Sequence, residues 1–279
     1  MTSNDTAIPG APTADRCLDV LDDIVEKWRA GTGGPTVHTQ FAHQFVPLIW
    51  ASTSHLVALA DGLATLHRSG LHVAAMPVVR QIIEFAMRGV WMERYRENVG
   101  AVILEGAKKR RLALDTAVST GIIADDDPVV VEAREFVANT VADDATSGRV
   151  FEALCREIEG GDKIYAYYRI ASNYTHPSLM LTDLYLVEDE SSPVGLRLAT
   201  NSRPTPADAW LGIATSLVIL GCLAWDRVDR DHPHRALLRA YAKEFNIPTK
   251  QAEMTRAGFL AWNKANKERS RSQRTNSAR

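Results

Sequence analysis

The fold is decided by residues 71–98, which read LHVAAMPVVRQIIEFAMRGVWMERYREN. Apolar side chains cover most of the circumference of the helix that this segment predicts, as expected for a helix surrounded by others. Pro77 lacks a backbone N–H, so it limits the first turn of the helix or kinks it. We therefore predict a central helix with the rest of a multi-helix bundle packed around it.

Helical periodicity also dominates the segments on either side, because apolar residues recur every three or four positions. The sequence therefore predicts a mainly α protein. The further predicted helices lie between Thr13 and Gly31 and over residues 39–68, 100–119, 128–143, 149–158, 163–176, 206–229 and 233–245. Residues 184–187 and 194–199 instead alternate between apolar and other side chains, which predicts one short β-hairpin inserted near residues 184–200.

The length and composition indicate one helical domain. The chain has 279 residues, of which 46% are hydrophobic, so it can bury a sizeable core. We predict a flexible lead-in over residues 1–13, a single domain over 14–256 and a basic, disordered tail over 257–279. The polar N-terminus lacks the features of a secretory signal, and the widely spaced cysteines fit a reducing compartment. We therefore expect a cytoplasmic protein.

Residues 209–225 form an uncharged and mostly apolar run, AWLGIATSLVILGCLAW, which raises the question of a membrane span. A bilayer core needs about 20 apolar residues, and this run is at the short end of that range. Gly212, Thr215, Ser216 and Gly221 dilute its hydrophobicity further. We expect a buried bundle helix and no membrane span.

Other features of the sequence limit the classes of function. A formal net charge of -2 gives no overall attraction to nucleic acid, so any polyanion site must be local. The glycine cluster at residues 31–35 lacks the Gly-Lys-Ser/Thr end of a phosphate loop, and no Gly-x-Ser-x-Gly elbow is present. The acids and histidines of residues 226–234 crowd around one helix end without a complementary second cluster. We predict neither a metal nor a cofactor.

The candidate site lies in residues 165–176, which read YAYYRIASNYTH. Spacings of four, three and four residues place four polar side chains on one helix face. These are Tyr165, Arg169, Ser172 and His176. A fixed cation suited to phosphate and an imidazole that exchanges a proton near neutral pH meet the minimal needs of phosphodiester cleavage. The alternative is a structural stripe, in which the tyrosines pack and the arginine pairs with a carboxylate.

The central helix carries a second polar pair, Arg80 and Glu84, one turn apart among apolar neighbours. As an internal ion pair they would be structural. In the functional interpretation Glu84 orients Arg169 or His176, or Arg80 supplies a second contact to phosphate. That interpretation requires the two helices to pack together.

The spacing between Arg169 and His176 resembles the HEPN superfamily, whose signature is an arginine, four to six residues, and then a histidine on a helix. Here six residues lie between the two. The layout of Arg80-x-x-x-Glu84 before Tyr-Arg-x-x-Ser-x-x-x-His also looks like helical bacterial proteins associated with abortive-infection and toxin–antitoxin systems. The resemblance covers about residues 40–225.

The resemblance implies a metal-independent endoribonuclease of bacterial defence or stress response, in which a homodimer brings both sets of site residues to one cleft. By this resemblance Arg169 contacts the scissile phosphate of RNA and His176 handles the proton. An inhibitory protein partner is a further expectation. Ile170 departs from the pattern, since active members usually carry a polar residue after the arginine. The alternative is therefore a noncatalytic interaction or sensor protein with a structural Arg/Ser/His network.

Overall fold

The structure is a computed structural model that describes residues 12–31, 36–37, 45–96, 99–140, 150–264 and 267. It is a mainly α-helical bundle with one two-stranded antiparallel hairpin, which confirms the predicted fold class. The elements are α1 (Ala14–Ala30), α2 (Phe45–Arg68), α3 (His72–Arg94), α4 (Gly100–Ser119), α5 (Pro128–Asn139), α6 (Phe151–Arg156), α7 (Gly161–Asn173), α8 (Leu179–Asp183), β1 (Leu186–Glu188), β2 (Leu196–Leu198), α9 (Ala207–Asp226) and α10 (Arg235–Glu244). Residues 256–264 form a further helical segment.

Local sequence signals account for the starts of several helices. Thr13 precedes α1, and its hydroxyl accepts a hydrogen bond from the backbone N–H of Arg16 at 3.2 Å. Asp127 precedes α5 and accepts from the backbone N–H of Val129 at 2.9 Å. Pro128 occupies the first position of α5, where its missing N–H costs nothing. Each cap satisfies a backbone donor that the helix itself leaves unpaired.

The predicted central helix is α3, which packs against α2, α6, α7 and α9. The helix begins at His72 and continues through Pro77. Its buried residues lie around most of its circumference and are Ala75, Met76, Val79, Ile82, Ile83, Ala86, Met87, Gly89, Val90, Trp91, Met92 and Glu93. A helix enclosed in this way can expose polar side chains only where a neighbouring helix leaves room for them.

The second enclosed helix is α9, which crosses α2 and α3 closely at Gly221. A Cβ atom added at Gly221 would lie 2.3 Å from Leu56 Cδ2 and 3.3 Å from Ala86 Cα. By length and composition alone, α2 and α9 could each cross a membrane. In the most apolar 18-residue stretch of α9, 61% of the residues are buried in the bundle. Core helices of soluble proteins pass the same test, so packing in the bundle is sufficient to explain this apolar run.

The end of α7 differs from the prediction. The predicted helix ran to residue 176, whereas α7 ends at Asn173. The backbone N–H groups of Tyr174 and Thr175 donate to carbonyls three residues earlier, at 3.1 Å each, and so tighten the chain into a turn. Pro177 also disfavours helical geometry for the residue before it. The chain then starts the short helix α8, which the sequence did not predict.

The two ends of the chain were predicted to be disordered. Residues 256–264 are helical, which corrects the prediction for the first part of the tail at 257–279. The hydroxyl of Thr255 accepts from the backbone N–H of Gly258 at 3.0 Å and caps this segment. Several predicted stretches lie outside the described residues, namely 1–11, 32–35, 39–44, 97–98, 141–143, 149, 265–266 and 268–279.

The close crossing at Gly221 has a measurable consequence. Gly221→Ala is expected to lower the free energy of unfolding by about 1–2 kcal/mol, because an extra methyl group overpacks the crossing and the helix propensity of alanine offsets only part of that cost. At Gly212, on the same helix, an added Cβ meets no described atom within 4 Å. Gly212→Ala should therefore stabilise by about 0.5–1 kcal/mol. Urea denaturation measures both changes, and equal shifts in the two variants would contradict the crossing.

Candidate functional site

The packing of α3 against α7 brings together polar residues that lie far apart in the sequence. Arg80 on α3 donates from Nε to Ser172 Oγ on α7 at 3.1 Å. Its Nη2 donates to the hydroxyl of Tyr168, whose ring centroid lies 4.7 Å from the guanidinium carbon. The three side chains are partly buried. The contact between the two helices that the functional interpretation required is therefore present, and we call this contact the α3–α7 seam.

Glu84 extends the α3–α7 seam along α3. Its Oε2 lies 4.0 Å from Nη2 of Arg80, and its Oε1 accepts from Nε and Nη2 of Arg88 at 3.2 and 3.1 Å. One carboxylate thus lies between two arginines, one helical turn before it and one after. These contacts of Glu84 are within α3, and the described contacts do not join it to Arg169 or His176. Sequence reasoning missed Arg88, although its position four residues after Glu84 was a usable signal.

Arg169 lies outside the seam, on the exposed surface of α7. The neighbouring hydroxyl of Tyr165 raises the pKa of the Arg169 guanidinium by side-chain hydrogen bonding, so this side chain stays charged. Tyr165 itself donates to Glu152 Oε2 on α6 at 3.1 Å, and Glu152 pairs with Arg156 at 2.6 Å. Arg169 is therefore a permanent cation that solvent and a polyanion can both reach.

His176 is also exposed, but it does not lie on the helix. Because α7 ends at Asn173, the step from Ser172 to His176 does not continue the helical face, and the predicted stripe is wrong for this residue. The predicted site residues therefore divide into two groups. Arg80, Glu84 and Ser172 belong to the seam, whereas Arg169 and His176 are exposed to solvent. The sixth residue, Tyr165, is partly buried and donates to Glu152 on α6.

Polar residues around the end of α9 bind one another. Asp226 Oδ2 accepts from Nε of Arg235 at 3.0 Å, and Asp229 Oδ1 accepts from the backbone N–H of Asp231 at 3.1 Å. The hydroxyl of Thr36 also donates to Asp231. Within the described part of the chain, no group of three or more His, Cys, Asp or Glu side chains could hold a metal ion. Asp226, Asp229 and Asp231 therefore accept hydrogen bonds from neighbouring groups at the C-terminal end of α9.

The three cysteines are buried, as the sequence indicated, and are unsuited to nucleophilic chemistry. Burial raises the pKa of the Cys155 and Cys222 thiols to about 12, and burial also raises that of Cys17. Only a thiolate is a strong nucleophile, so these groups are inert near neutral pH.

The fold and the seam define the class of the protein: a mainly α-helical bundle with a polar contact between its central helix and a helix that exposes a cation. Comparison of the chain with protein families, curated proteins and solved structures gives no match. The resemblance to the HEPN superfamily therefore stays a prediction carried by the motif residues.

The burial of the thiols predicts slow modification of the native protein. At pH 8 a thiol-specific reagent such as DTNB should label none of the cysteines until the protein unfolds, because each sulfur is both protonated and covered. Labelling in urea should release three equivalents, the number of cysteines in the chain. A thiol that reacts at once in the folded protein would contradict the packing described here.

The seam predicts a loss of stability when its donor is removed. Arg80→Met keeps the apolar stem but deprives Tyr168 and Ser172 of their partner, so the free energy of unfolding should fall by about 1–3 kcal/mol. Arg169→Met removes an exposed arginine from the same region and should change it by less than about 0.5 kcal/mol. Urea denaturation of both variants distinguishes the two roles. A similar loss of unfolding free energy in both variants would show that the hydrogen bonds of Arg80 do not contribute to stability.

Proposed function

We propose that this protein binds RNA through the exposed surface of α7 and the turn after it, and cleaves the RNA without a metal ion in bacterial defence or stress. The observation that carries the proposal is that Arg169 and His176, the two groups that cleavage needs, are both exposed within one short segment. Tyr167 is 38% exposed on the same helix and offers an aromatic face for stacking of a base.

The chemistry assigns each group a role. In cleavage by the 2′-hydroxyl, that oxygen loses a proton and attacks phosphorus, while the 5′ oxygen of the next nucleotide leaves and takes a proton. Arg169 would bind the phosphate oxygens and stabilise the charge that develops on them. His176 would accept or donate one of the two protons near neutral pH.

The need for two proton transfers supports a homodimer. One protomer offers one exposed imidazole within the segment that carries Arg169, and efficient catalysis uses both a base and an acid. A second copy would supply His176 for the other step. The exposed apolar side chains of α8 and the hairpin, which follow α7 in the chain, would serve such a contact, since apolar patches often mark protein interfaces. They include Leu179, Val194 and Leu198, which are 76%, 78% and 80% exposed.

The α3–α7 seam would act as the support for this surface. The bonds from Arg80 to Tyr168 and Ser172 fix the rotation of α7, which determines the direction in which Arg169 projects. Neither Arg80 nor Glu84 would touch RNA in this arrangement. Their loss should weaken activity through the position and stability of α7.

A noncatalytic interaction or sensor protein is the second candidate, and the seam favours it. The polar groups of Arg80, Tyr168 and Ser172 already bind one another, as they would in a purely structural network. The exposed apolar side chains near the hairpin would then bind a protein partner, such as an inhibitor. Ile170, which stands where active members of the HEPN superfamily usually carry a polar residue, fits a protein that does not catalyse cleavage.

The test is cleavage of a mixed RNA pool by the purified protein in EDTA. His176→Ala should slow cleavage by at least about 100-fold, the usual contribution of a general acid or base. His55→Ala, which removes an exposed histidine of α2, is the matched control and should cut at the wild-type rate. Melting temperatures of all three proteins establish that they are folded.

Two results would overturn the nuclease proposal: no cleavage by the wild-type protein, or wild-type rates in a folded His176→Ala variant. RNA binding without cleavage, lost in Arg169→Met, would instead support a noncatalytic RNA-binding protein. Absence of both cleavage and binding would favour the interaction or sensor protein.

A further inference from the structure

A second polar surface lies at the C-terminal end of α3, away from the exposed surface of α7. Here an open cleft of about 460 Å³ lies between Arg94 and residues 251–259. This volume is in the range of sites that hold small molecules, roughly 300–1,000 Å³. Its lining includes the polar donors Arg94, Gln251 and Arg256, the apolar side chains Met254 and Phe259, and one carboxylate, Glu253.

The wall formed by residues 251–259 is held against the end of α6 by main-chain bonds. The backbone N–H of Glu159 donates to the carbonyl of Glu253, and that of Thr255 donates to the carbonyl of Glu157, each at 3.0 Å. Gly258 packs against the same strip, since a Cβ there would lie 2.5 Å from the Glu157 carbonyl oxygen. The wall is therefore a fixed part of the fold.

Arg94 is held in a geometry suited to an oxyanion. Its Nη1 donates to Gln251 Oε1 at 3.0 Å, which fixes the guanidinium plane. Nε is buried, so a ligand in the open cleft would meet the terminal nitrogens of the guanidinium and not Nε. Those nitrogens are charged donors that suit an anionic oxygen.

The buried carboxylate that precedes Arg94 in the sequence is already neutralised. Glu93 is 1% exposed, and its Oε1 accepts from Arg96 at 3.2 Å and from Gln251 Nε2 at 2.8 Å. Its Oε2 lies 3.4 Å from Nε of Arg227. Gln251 therefore donates to Glu93 and accepts from Arg94, which joins the buried network to the cleft.

The remaining charges of the cleft favour an anion. Arg94 and Arg256 line it, against the single carboxylate of Glu253. The first turn of the helical segment 256–264, capped by Thr255, forms part of the lining and adds the positive end of its helix dipole. Two cations and one anion leave a positive balance at the surface.

We propose that this cleft binds a small organic molecule through a phosphate or carboxylate group. Arg94 binds the group through its terminal guanidinium nitrogens, Arg256 is the second cation, and Met254 and Phe259 contact the apolar remainder of the ligand. The proposal rests on this cleft alone and is independent of the RNA function proposed for α7.

Isothermal titration calorimetry of the full chain tests the site with three probes at matched ionic strength: inorganic phosphate, phenyl phosphate and benzoate. Phenyl phosphate should bind at least tenfold more tightly than inorganic phosphate, because its ring contacts Met254 and Phe259. The stronger of phenyl phosphate and benzoate identifies the anionic group as phosphate or carboxylate. Failure of both to bind the wild-type protein up to about 10 mM, a Kd that corresponds to about 2.7 kcal/mol, overturns the proposal.

Variants connect binding to the named residues. Arg94→Met should weaken binding of the better probe at least tenfold, and Arg256→Met should weaken it without a change in melting temperature, because Arg256 is exposed. Arg239→Met, which removes an exposed arginine of α10, is the matched control and should bind as the wild type does. Equal affinity in all three variants would overturn the site, and Arg256→Met keeps the test valid if Arg94→Met fails to fold.

Discussion

The close crossing of α9 over α2 and α3 is the constraint on which the rest of the structure depends. Gly221 removes the side chain that would hold the helices apart, and the apolar surface of α3 is then enclosed by α2 and α9. The polar residues of α3 must therefore emerge where α7 and the chain after α10 approach it. Arg80 meets α7, and Arg94 meets residues 251–259. Fourteen residues separate these arginines, about 21 Å along the helix axis, so one helix positions two distinct polar surfaces.

The two surfaces differ in how far the chain itself balances their charges. In the seam, the Arg80 side chain donates to two protein oxygens, and Glu84 lies between two arginines. A network of this kind stabilises the contact between two helices and needs no ligand to explain it. At the cleft, the buried carboxylate of Glu93 is compensated, but Arg94 and Arg256 line the opening with only the carboxylate of Glu253 beside them. The cleft, unlike the seam, therefore keeps a positive balance that an anion can neutralise.

Periodicity was sufficient to predict α1–α7, α9, α10 and the hairpin, because burial of one face imposes its own spacing on the sequence. The predicted end of α7 was wrong because Pro177 disfavours helical geometry at the residue before it, which outweighs the regular spacing of polar residues. The segment 256–264 is helical despite its basic composition because the hydroxyl of Thr255 accepts from the backbone N–H of Gly258 and caps its first turn. The partners of Arg80 and Arg94 could not be chosen from sequence. Tyr168 and Gln251 lie 88 and 157 residues away from them, and only the packing of the bundle selects one polar side chain over its neighbours.

The division of the predicted site changes the relation between the two functional hypotheses. From sequence, catalysis and structural support competed for the same residues of two helices. In the structure, support falls to Arg80, Glu84 and Ser172, while Arg169 and His176 are exposed and stay the candidates for chemistry on a polyanion. An exposed arginine keeps its hydration, so Arg169 needs no buried partner to hold its charge. Loss of stability on removal of a seam residue is therefore compatible with either hypothesis. The discriminating evidence must come from the two exposed residues, whose replacement leaves the packing of α3 and α7 intact.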